Sequence, residues 1–294
     1  MKRILITGRN SYIGSAVKAW LFKSEQHVIV TEICVEGDAW KQSDFSVYDV
    51  VFHVAGIAHS EMGHASDEIK ALYYQVNCDL PIAVAKKAKA ENIKQFIFMS
   101  SMIVYGDSAP LGHHKRVTQE TFPEPANFYG DSKWQAELGL GKLRNSDFKV
   151  AIIRPPMVYG KGSKGNYPRL AKLAKKLPLF PRIKNERSMI HIDNLCEFIK
   201  LMINNEENGV FHPQNNEYVT TSNLVKEIAC VHGKRLFLTS FFNPFLRFFS
   251  KRSDLVNKVF GNLSYDLQLS EYTKDYCIRN FKESVELTEA GLDE

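Results

Sequence analysis

The chain opens Met1-Lys-Arg-Ile-Leu-Ile-Thr7-Gly8-Arg9-Asn10-Ser11-Tyr12-Ile13-Gly14, and this stretch decides the fold. Arg3–Thr7 is a short apolar run that reads as a buried strand. It is too brief for the apolar stretch of a signal peptide or for a membrane span of about 20 residues. The turn after it has glycine at both ends, Gly8 and Gly14, which permits a tight bend and close helix–strand packing. A helix then runs through about Ser24, and the N-terminus of such a helix favours a pyrophosphate. Position 11, where a middle glycine would let backbone approach phosphate, is Ser11.

Outward from that turn, apolar strands alternate with helical patterns. His27–Glu32, Tyr48–Ala55, Gln95–Ser101 and Lys149–Arg154 read as strands, and Ser66–Ala90 and Asn127–Leu143 as helices. The alternation predicts an α/β fold, a Rossmann-type doubly wound parallel sheet covered on both faces. Beyond Pro155 the regularity weakens. Lys161–Gly165 is a Gly/Lys-rich loop, Tyr167–Lys176 a basic helix, Ile190–Asn204 a strand or turn running into a helix, and Thr221–His232 a further helix. The expected division is a nucleotide-binding domain over residues 1–155, to which some later segments return, and a smaller C-terminal substrate-binding lobe over 156–294.

Composition narrows the function classes. The 294 residues are 44% hydrophobic and 24% charged, with a net charge of +5. That mild positive balance suits an anionic substrate, and no run of Lys or Arg is long enough to argue for nucleic acid. The five cysteines are scattered, odd in number and without metal-ligand spacing, which points to free thiols in a reducing, cytoplasmic compartment. His53, His59 and His64 are not at metal-ligand spacing either, so no metal is expected. His113-His114-Lys115-Arg116 reads as a solvated loop. The aromatic segment Leu236–Phe249, followed by Lys251-Arg252, is expected to form core and wall of the smaller lobe or a subunit contact. Peripheral association with a membrane surface is the alternative for it, without stable insertion.

Tyr129-Gly-Asp-Ser-Lys133 places a phenol and an ammonium four residues apart, on one face of the predicted helix. A phenol alone titrates near pH ~10. A nearby ammonium stabilises the phenolate and lowers that value, which lets Tyr129 exchange a proton with a carbinol or carbonyl oxygen. Glu32, ending the second strand, is placed to accept from the ribose hydroxyls of a dinucleotide, which favours NAD. Arg9 in the turn suits the 2′-phosphate of NADP, which is the alternative cofactor.

Several motifs fall in order. They are Thr7–Gly14, Asp49-Val-Val-Phe-His53-Val-Ala-Gly56, Asn77, Ser100-Ser101-Met-Ile-Val-Tyr105-Gly106, Tyr129-x-x-x-Lys133, Arg154-Pro155, Val158-Tyr159-Gly160, and Arg187-Ser-Met-Ile-His191-Ile-Asp193. On that order and spacing the chain from Lys2 to about Gly233 resembles the extended short-chain dehydrogenase/reductase family, the nucleotide-sugar epimerases, dehydratases and reductases. The resemblance implies that Ser101 hydrogen-bonds the substrate oxygen, that Tyr129 is the acid-base, and that Lys133 holds the nicotinamide ribose and depresses the Tyr129 pKa. It implies a cofactor site of Gly8, Ser11, Tyr12, Ile13, Gly14, Glu32, Val54, Ala55, Gly56, Asn77, Tyr129, Lys133 and Pro155. Asn166 and Arg187 match positions that hold the nucleotide diphosphate, so that with Ser101 and Tyr129 they bind a UDP-sugar. Two departures concern the sugar pocket: Met157 stands where many relatives carry Asn, and Asn194 replaces a frequent second acid after Asp193.

The resemblance also bears on the reaction. A 4,6-dehydratase would carry an acidic pair directly after the active hydroxyl, and Met102-Ile103 stand there instead. The details Phe98-Met-Ser-Ser-Met102, Arg154-Pro-Pro-Met-Val-Tyr-Gly160 and Phe211-His-Pro-Gln-Asn215 look most like bacterial capsule and O-antigen reductases. The expectation is therefore a cytoplasmic, homodimeric NAD(P)-dependent oxidoreductase acting at sugar C4, which reduces a UDP-2-acetamido-4-keto-6-deoxyhexose. A UDP-glucose or UDP-N-acetylglucosamine 4-epimerase is the alternative. A non-catalytic dinucleotide-binding sensor is a remoter one, and the presence of Ser101, Tyr129 and Lys133 together argues against it.

Overall fold

In the computed structural model, which describes residues 1–58, 65–250 and 254–290, six strands form one sheet. Their spatial order is Gly209–Phe211, Lys149–Ile153, Gln95–Met99, Val50–His53, Lys2–Thr7 and Val28–Ile33. Every neighbouring pair is parallel. Parallel strands joined by helical crossovers are covered on both faces, and so the central ones are continuous apolar runs: Ile4–Ile6, Val50–Phe52 and Phe96–Phe98 are all buried. One face packs Leu5, Val51, Phe96 and Val150 against Val84, Ala85 and Ala88 of the Leu80–Ala90 helix and Ala136 and Leu140 of the Phe128–Gly141 helix. The strand order reverses between Lys2–Thr7 and Val50–His53. In open sheets of this kind the crevice at that reversal, outside the carboxyl ends of the strands, is where ligands bind.

Two units divide the chain. The first comprises residues 1–106, 122–155 and 195–213; the second comprises 107–121, 156–194 and 214–294. Each unit is built from three stretches of the chain. Residues 195–213 return to the first because their strand Gly209–Phe211 extends its sheet, and because the buried Gln95 amide donates to the carbonyls of Met202 (2.9 Å) and Glu207 (3.0 Å). Residues 107–121 belong to the second because Arg116–Val117 pairs with Ser264–Tyr265, and Ala109 bridges Asn262.

The second unit has its own core, built on Tyr159, Tyr167, Phe180, Met189, Leu224 and Ile228. Two short parallel pairs, Met157–Tyr159 with Met189–His191 and Leu179–Pro181 with Phe237–Thr239, pack with the helices Asn166–Lys176, Thr221–Val231 and Phe281–Glu289. The aromatic segment divides between core and surface. Leu236, Leu238 and Leu246 turn into this core, whereas Phe237, Phe241, Phe242, Phe245 and Phe248 stay exposed. Lys251 and Arg252, like His59 and His64, lie outside the described residues. Among the described residues no helix is long and apolar enough to cross a membrane.

Candidate active site

The turn after the first strand is knitted to both neighbouring strands. The Thr7 carbonyl accepts from the Val54 amide (3.1 Å) and the Ala55 amide (2.9 Å), while the Gly8 and Arg9 amides donate to the Ile33 carbonyl (3.1 and 3.2 Å). Gly8 has φ of +117°, and a Cβ there would stand 2.8 Å from the Ala55 nitrogen, so both conformation and space require glycine. A Cβ on Gly14 would stand 2.5 Å from Ser11 Oγ. That oxygen is the N-cap of the Tyr12–Ser24 helix, accepting from the Gly14 amide at 3.2 Å. The serine in the middle-glycine position thus closes the first helical turn, on which Tyr12 and Ile13 sit half-buried. The amides of such a turn have no partners within their helix and sit at the positive end of its dipole.

Glu32 completes this half of the site. Lys18 Nζ donates to its Oε2 at 2.7 Å, while Oε1 is buried with no partner. A buried carboxylate oxygen without a donor is costly unless a ligand hydroxyl satisfies it. The crowded glycines, the capped helix and this orphaned oxygen fit a dinucleotide whose ribose donates to Glu32. Arg9 Nη2 is bonded to the Glu32 main-chain oxygen at 3.3 Å, so the cation that suits a 2′-phosphate stands beside the acid that opposes it. Glu32→Gln is expected to lower the preference for NAD over NADP, read as the ratio of kcat/KM values, by about tenfold or more. An unchanged ratio would remove Glu32 from the site.

Asn77 lies in a π-helical turn, Gln75–Asp79, inside the helical run of residues 67–90. Such turns project a side chain out of register and recur at functional sites. The fully buried Asn77 amide accepts from the Ile57 amide (2.9 Å) and donates to the Ile57 carbonyl (3.0 Å) and to Ser132 Oγ (3.3 Å). A Cβ on Gly56 would stand 3.0 Å from Asn77 Oδ1 and 3.1 Å from Lys133 Nζ. Asn77 therefore fixes the Val54–Ala55–Gly56 segment against the helix that carries Lys133.

That helix, Phe128–Gly141, is capped by Asn127, which accepts from the Gly130 amide at 3.0 Å. A Cβ on Gly130 would lie 2.8 Å from the Ile103 carbonyl oxygen, so the helix sits hard against the turn that begins at Ser101. The Ser101 hydroxyl caps that turn, accepting from the Ile103 amide at 3.3 Å, and lies close enough to the Tyr129 phenol to act on its pKa. The structure thus brings Ser101 and Tyr129 together. Pro155, expected at the cofactor, is buried, and its carbonyl accepts from the Met102 amide at 2.9 Å, tying down the residue after Ser101.

The electrostatics differ from the sequence expectation. Burial pushes the half-buried Tyr129 phenol up to about 12, opposed by the Ser101 hydroxyl and helped by Tyr73. The expected lowering by Lys133 is not what sets it. Lys133 Nζ donates instead to the Met99 carbonyl at 3.0 Å and lies 4.8 Å from the centre of the Phe98 ring. Burial lowers the Lys133 ammonium to about 8, with the Glu137 carboxylate opposing. Below that value Lys133 is charged and can hold a ligand oxygen; above it the charge is lost. The free-enzyme quantity kcat/KM is expected to fall as pH rises through about 8, and a profile flat from neutrality into the Tyr range would contradict this.

Beneath the pair lies a buried polar network that the sequence reading did not assemble. Ser100 Oγ donates to Glu137 Oε1 (2.5 Å), so the two adjacent serines have separate tasks. Glu137 receives Arg154 through Nε (3.1 Å to each oxygen) and Nη2 (2.5 Å). Arg154 also donates to Tyr105 Oη (2.5 Å), which meets His212 Nε2 at 2.9 Å. Tyr129, Lys133 and Glu137 are at i, i+4 and i+8, and that repeat was the available signal. His53, fully buried, meets Thr7 Oγ1 through Nδ1 at 2.7 Å. Burial, and then the Lys133 charge, push it down to about 3, so it stays neutral. Among the described residues no group of three or more His, Cys, Asp or Glu could hold a metal.

In the second unit, Asn166 and Arg187 line one cavity of about 200 Å³. Its wall is apolar (Met157, Leu170, Met189 and Val219 among others), with Arg169 and Lys258 adding charge. Asn166 is the first residue of the Asn166–Lys176 helix, whose N-terminal amides suit an anion. Arg187 Nη1 donates to the Lys258 carbonyl at 2.7 Å. Burial lowers its guanidinium to about 10, and it forms no ion pair among the described residues, so its charge is available to a ligand. Cations with an apolar wall suit a nucleoside diphosphate.

The chain matches the NAD dependent epimerase/dehydratase family over residues 4–215. It belongs to that family. It is an enzyme of the extended short-chain dehydrogenase/reductase type, in the class of NAD-dependent nucleotide-sugar epimerases and reductases. A Vibrio cholerae protein named UDP-glucose 4-epimerase is 31% identical, over 92% of this chain and 89% of its own length. An Escherichia coli O157:H7 protein named N-acetyl-alpha-D-glucosaminyl-diphospho-ditrans,octacis-undecaprenol 4-epimerase is 28% identical, over 79% of this chain and 73% of its own. The solved structure of UDP-N-acetylglucosamine 4-epimerase from Bacillus cereus aligns over 97% of both chains with a TM-score of 0.72 at 16% identity, a likeness of fold.

Both departures from this family's usual residues have structural correlates. Met157 contributes to the apolar wall of the cavity that holds Asn166 and Arg187. Asn194 is buried and both donates and accepts: Nδ2 donates to Asn215 Oδ1 (2.9 Å) and the Arg279 carbonyl (3.0 Å), and Oδ1 accepts from the Arg279 amide (2.9 Å). A carboxylate could not make the two donations. His113 and His114 are exposed, in the second unit.

Proposed function

We propose that this epimerase/dehydratase-family enzyme uses NAD(P)H to reduce C4 of a UDP-2-acetamido-4-keto-6-deoxyhexose for a capsular or other surface polysaccharide. The stretches Phe98–Met102, Arg154–Gly160 and Phe211–Asn215, which look like those of surface-polysaccharide reductases, support the direction, and burial raises the pKa of the Tyr129 phenol beside Ser101 so that it suits proton donation. A group protonated at neutral pH is suited to giving its proton to a ketone oxygen as negative charge develops there. Ser101 would hold the same oxygen by hydrogen bond, and Lys133, charged below about 8, would hold the nicotinamide ribose. When bound, the nicotinamide supplies the hydride. Met102 and Ile103 offer no acid beside Ser101 to drive dehydration. The five cysteines, scattered and odd in number, suit a cytoplasmic location.

Arg187 and Asn166 would bind the diphosphate of the UDP group. Arg187→Ala is expected to raise KM for the nucleotide sugar by about ten- to a hundredfold, the worth of a charge-assisted contact. An unchanged KM would remove Arg187 from the substrate site.

A second reading, UDP-sugar 4-epimerase, is supported by the names of the two relatives above. It uses the same Ser101 and Tyr129 but must keep its reduced cofactor between two half-reactions. Supplying the UDP-4-keto-6-deoxy sugar with NADH or NADPH separates the two. Loss of the near-ultraviolet absorbance of the reduced nicotinamide supports reduction. No loss, together with interconversion of UDP-gluco and UDP-galacto sugars and a cofactor that survives purification, supports the epimerase.

A further inference from the structure

The second unit carries a surface patch that this chemistry leaves unused. Phe241, Phe245 and Phe248, spaced i, i+4 and i+7 across the Asn243–Ser250 helix and its approach, expose 75%, 64% and 63% of their surface. Phe237 on the neighbouring strand exposes 63%. Leu246 packs into the core, so the helix is anchored by one side and turns its phenylalanines outward. Scattered exposed hydrophobics are ordinary, but several aromatic rings left exposed along one short helix, its approach and the preceding strand make an apolar patch suited to contact.

Charge says which kind. From Ala229 to Ser253 the chain has five cations, Lys234, Arg235, Arg247, Lys251 and Arg252, and no acid. Arg182 joins them: its Nη2 donates to the Leu238 carbonyl (3.4 Å), and its own carbonyl accepts from Asn243 Nδ2 (2.9 Å). Lys234 Nζ reaches the Lys175 carbonyl (2.5 Å) near the end of the helix Asn166–Lys176, where Lys176 adds a further cation and Lys175 pairs with Glu289 (3.5 Å). A second copy of the chain meeting this face through a two-fold axis would set cations against cations. An anionic bilayer meets both features at once, since rings settle at the headgroup boundary while lysines and arginines lie against phosphates.

We propose that this face docks the enzyme on an anionic lipid bilayer without insertion of a span. The test uses the full chain and its Phe241→Ser/Phe245→Ser/Phe248→Ser variant, co-sedimented with vesicles of phosphatidylcholine alone or with about a third phosphatidylglycerol. The wild type is expected to bind the anionic vesicles at low salt. Its bound fraction is expected to fall about tenfold or more in phosphatidylcholine alone, at high salt, or in the variant. The variant should keep wild-type turnover of the free nucleotide sugar and its melting temperature. Arg235→Gln/Arg247→Gln should lose binding to the anionic vesicles while keeping the rings. A wild type that stays in the supernatant with both vesicles overturns the proposal. So does a wild-type dimer in sedimentation equilibrium that the triple substitution dissociates, because the rings would then serve a protein contact.

Discussion

Tyr129→Phe lowers kcat by roughly a hundred- to ten-thousandfold, the range that a positioned proton donor contributes, and leaves KM for both ligands little changed. The substitution removes one oxygen. The ring keeps its edge-on contact with Tyr73 (centroids 5.9 Å apart), and the Asn127 cap and the Gly130 approach to Ile103 are untouched. The loss therefore falls on the step in which the phenol gives its proton, and not on binding or folding. A drop in kcat with constant KM is the mark of an interaction made only in the transition state. Turnover equal to wild type would end the assignment of Tyr129 as the acid.

Glu137→Ala has the largest expected effect on stability. Breaking a buried ion pair from one side costs about 3–5 kcal/mol, because the remaining charge is stranded. Here the stranded group is Arg154, stacked 5.6 Å from the Trp134 ring centre and bonded to Tyr105, and Ser100 loses its acceptor as well. For a chain of this size each kcal/mol moves the melting temperature by about 2 °C, so a fall of about 6–10 °C is expected by calorimetry. The double change Glu137→Leu/Arg154→Met should recover much of it, since apolar side chains of similar volume replace such pairs at little cost. A single substitution that melts like wild type would mean that the network carries no stability.

The first unit was largely legible because its signals are local. The strand, glycine turn and helix of residues 3–24 follow from a short apolar run and two glycines, one of which the structure shows in a positive-φ bend that no larger residue could occupy. Ser101, Tyr129 and Lys133 stood out by order and spacing, and Ser101 lies close enough to Tyr129 to act on its pKa. What was not legible depends on long-range burial. The rise of the Tyr129 pKa comes from desolvation, a property of everything packed around the ring, and spacing to Lys133 predicted the opposite sign. The interleaving of the units rests on pairings such as Val117 with Tyr265, between residues far apart in sequence. Which of the residues 236–249 face the core was not legible, because aromatic content does not say which way a short helix turns.

The most direct measurement follows the hydrogen that arrives at C4. The UDP-4-keto-6-deoxy sugar is incubated with the enzyme and with NADH or NADPH carrying deuterium at the transferable position, and the product is read by proton NMR. The account predicts deuterium at C4 of the sugar, stoichiometric with cofactor oxidised, and almost none when Tyr129→Phe replaces the wild type. A product with ordinary hydrogen at C4, or none formed while UDP-gluco and UDP-galacto sugars interconvert, would contradict it.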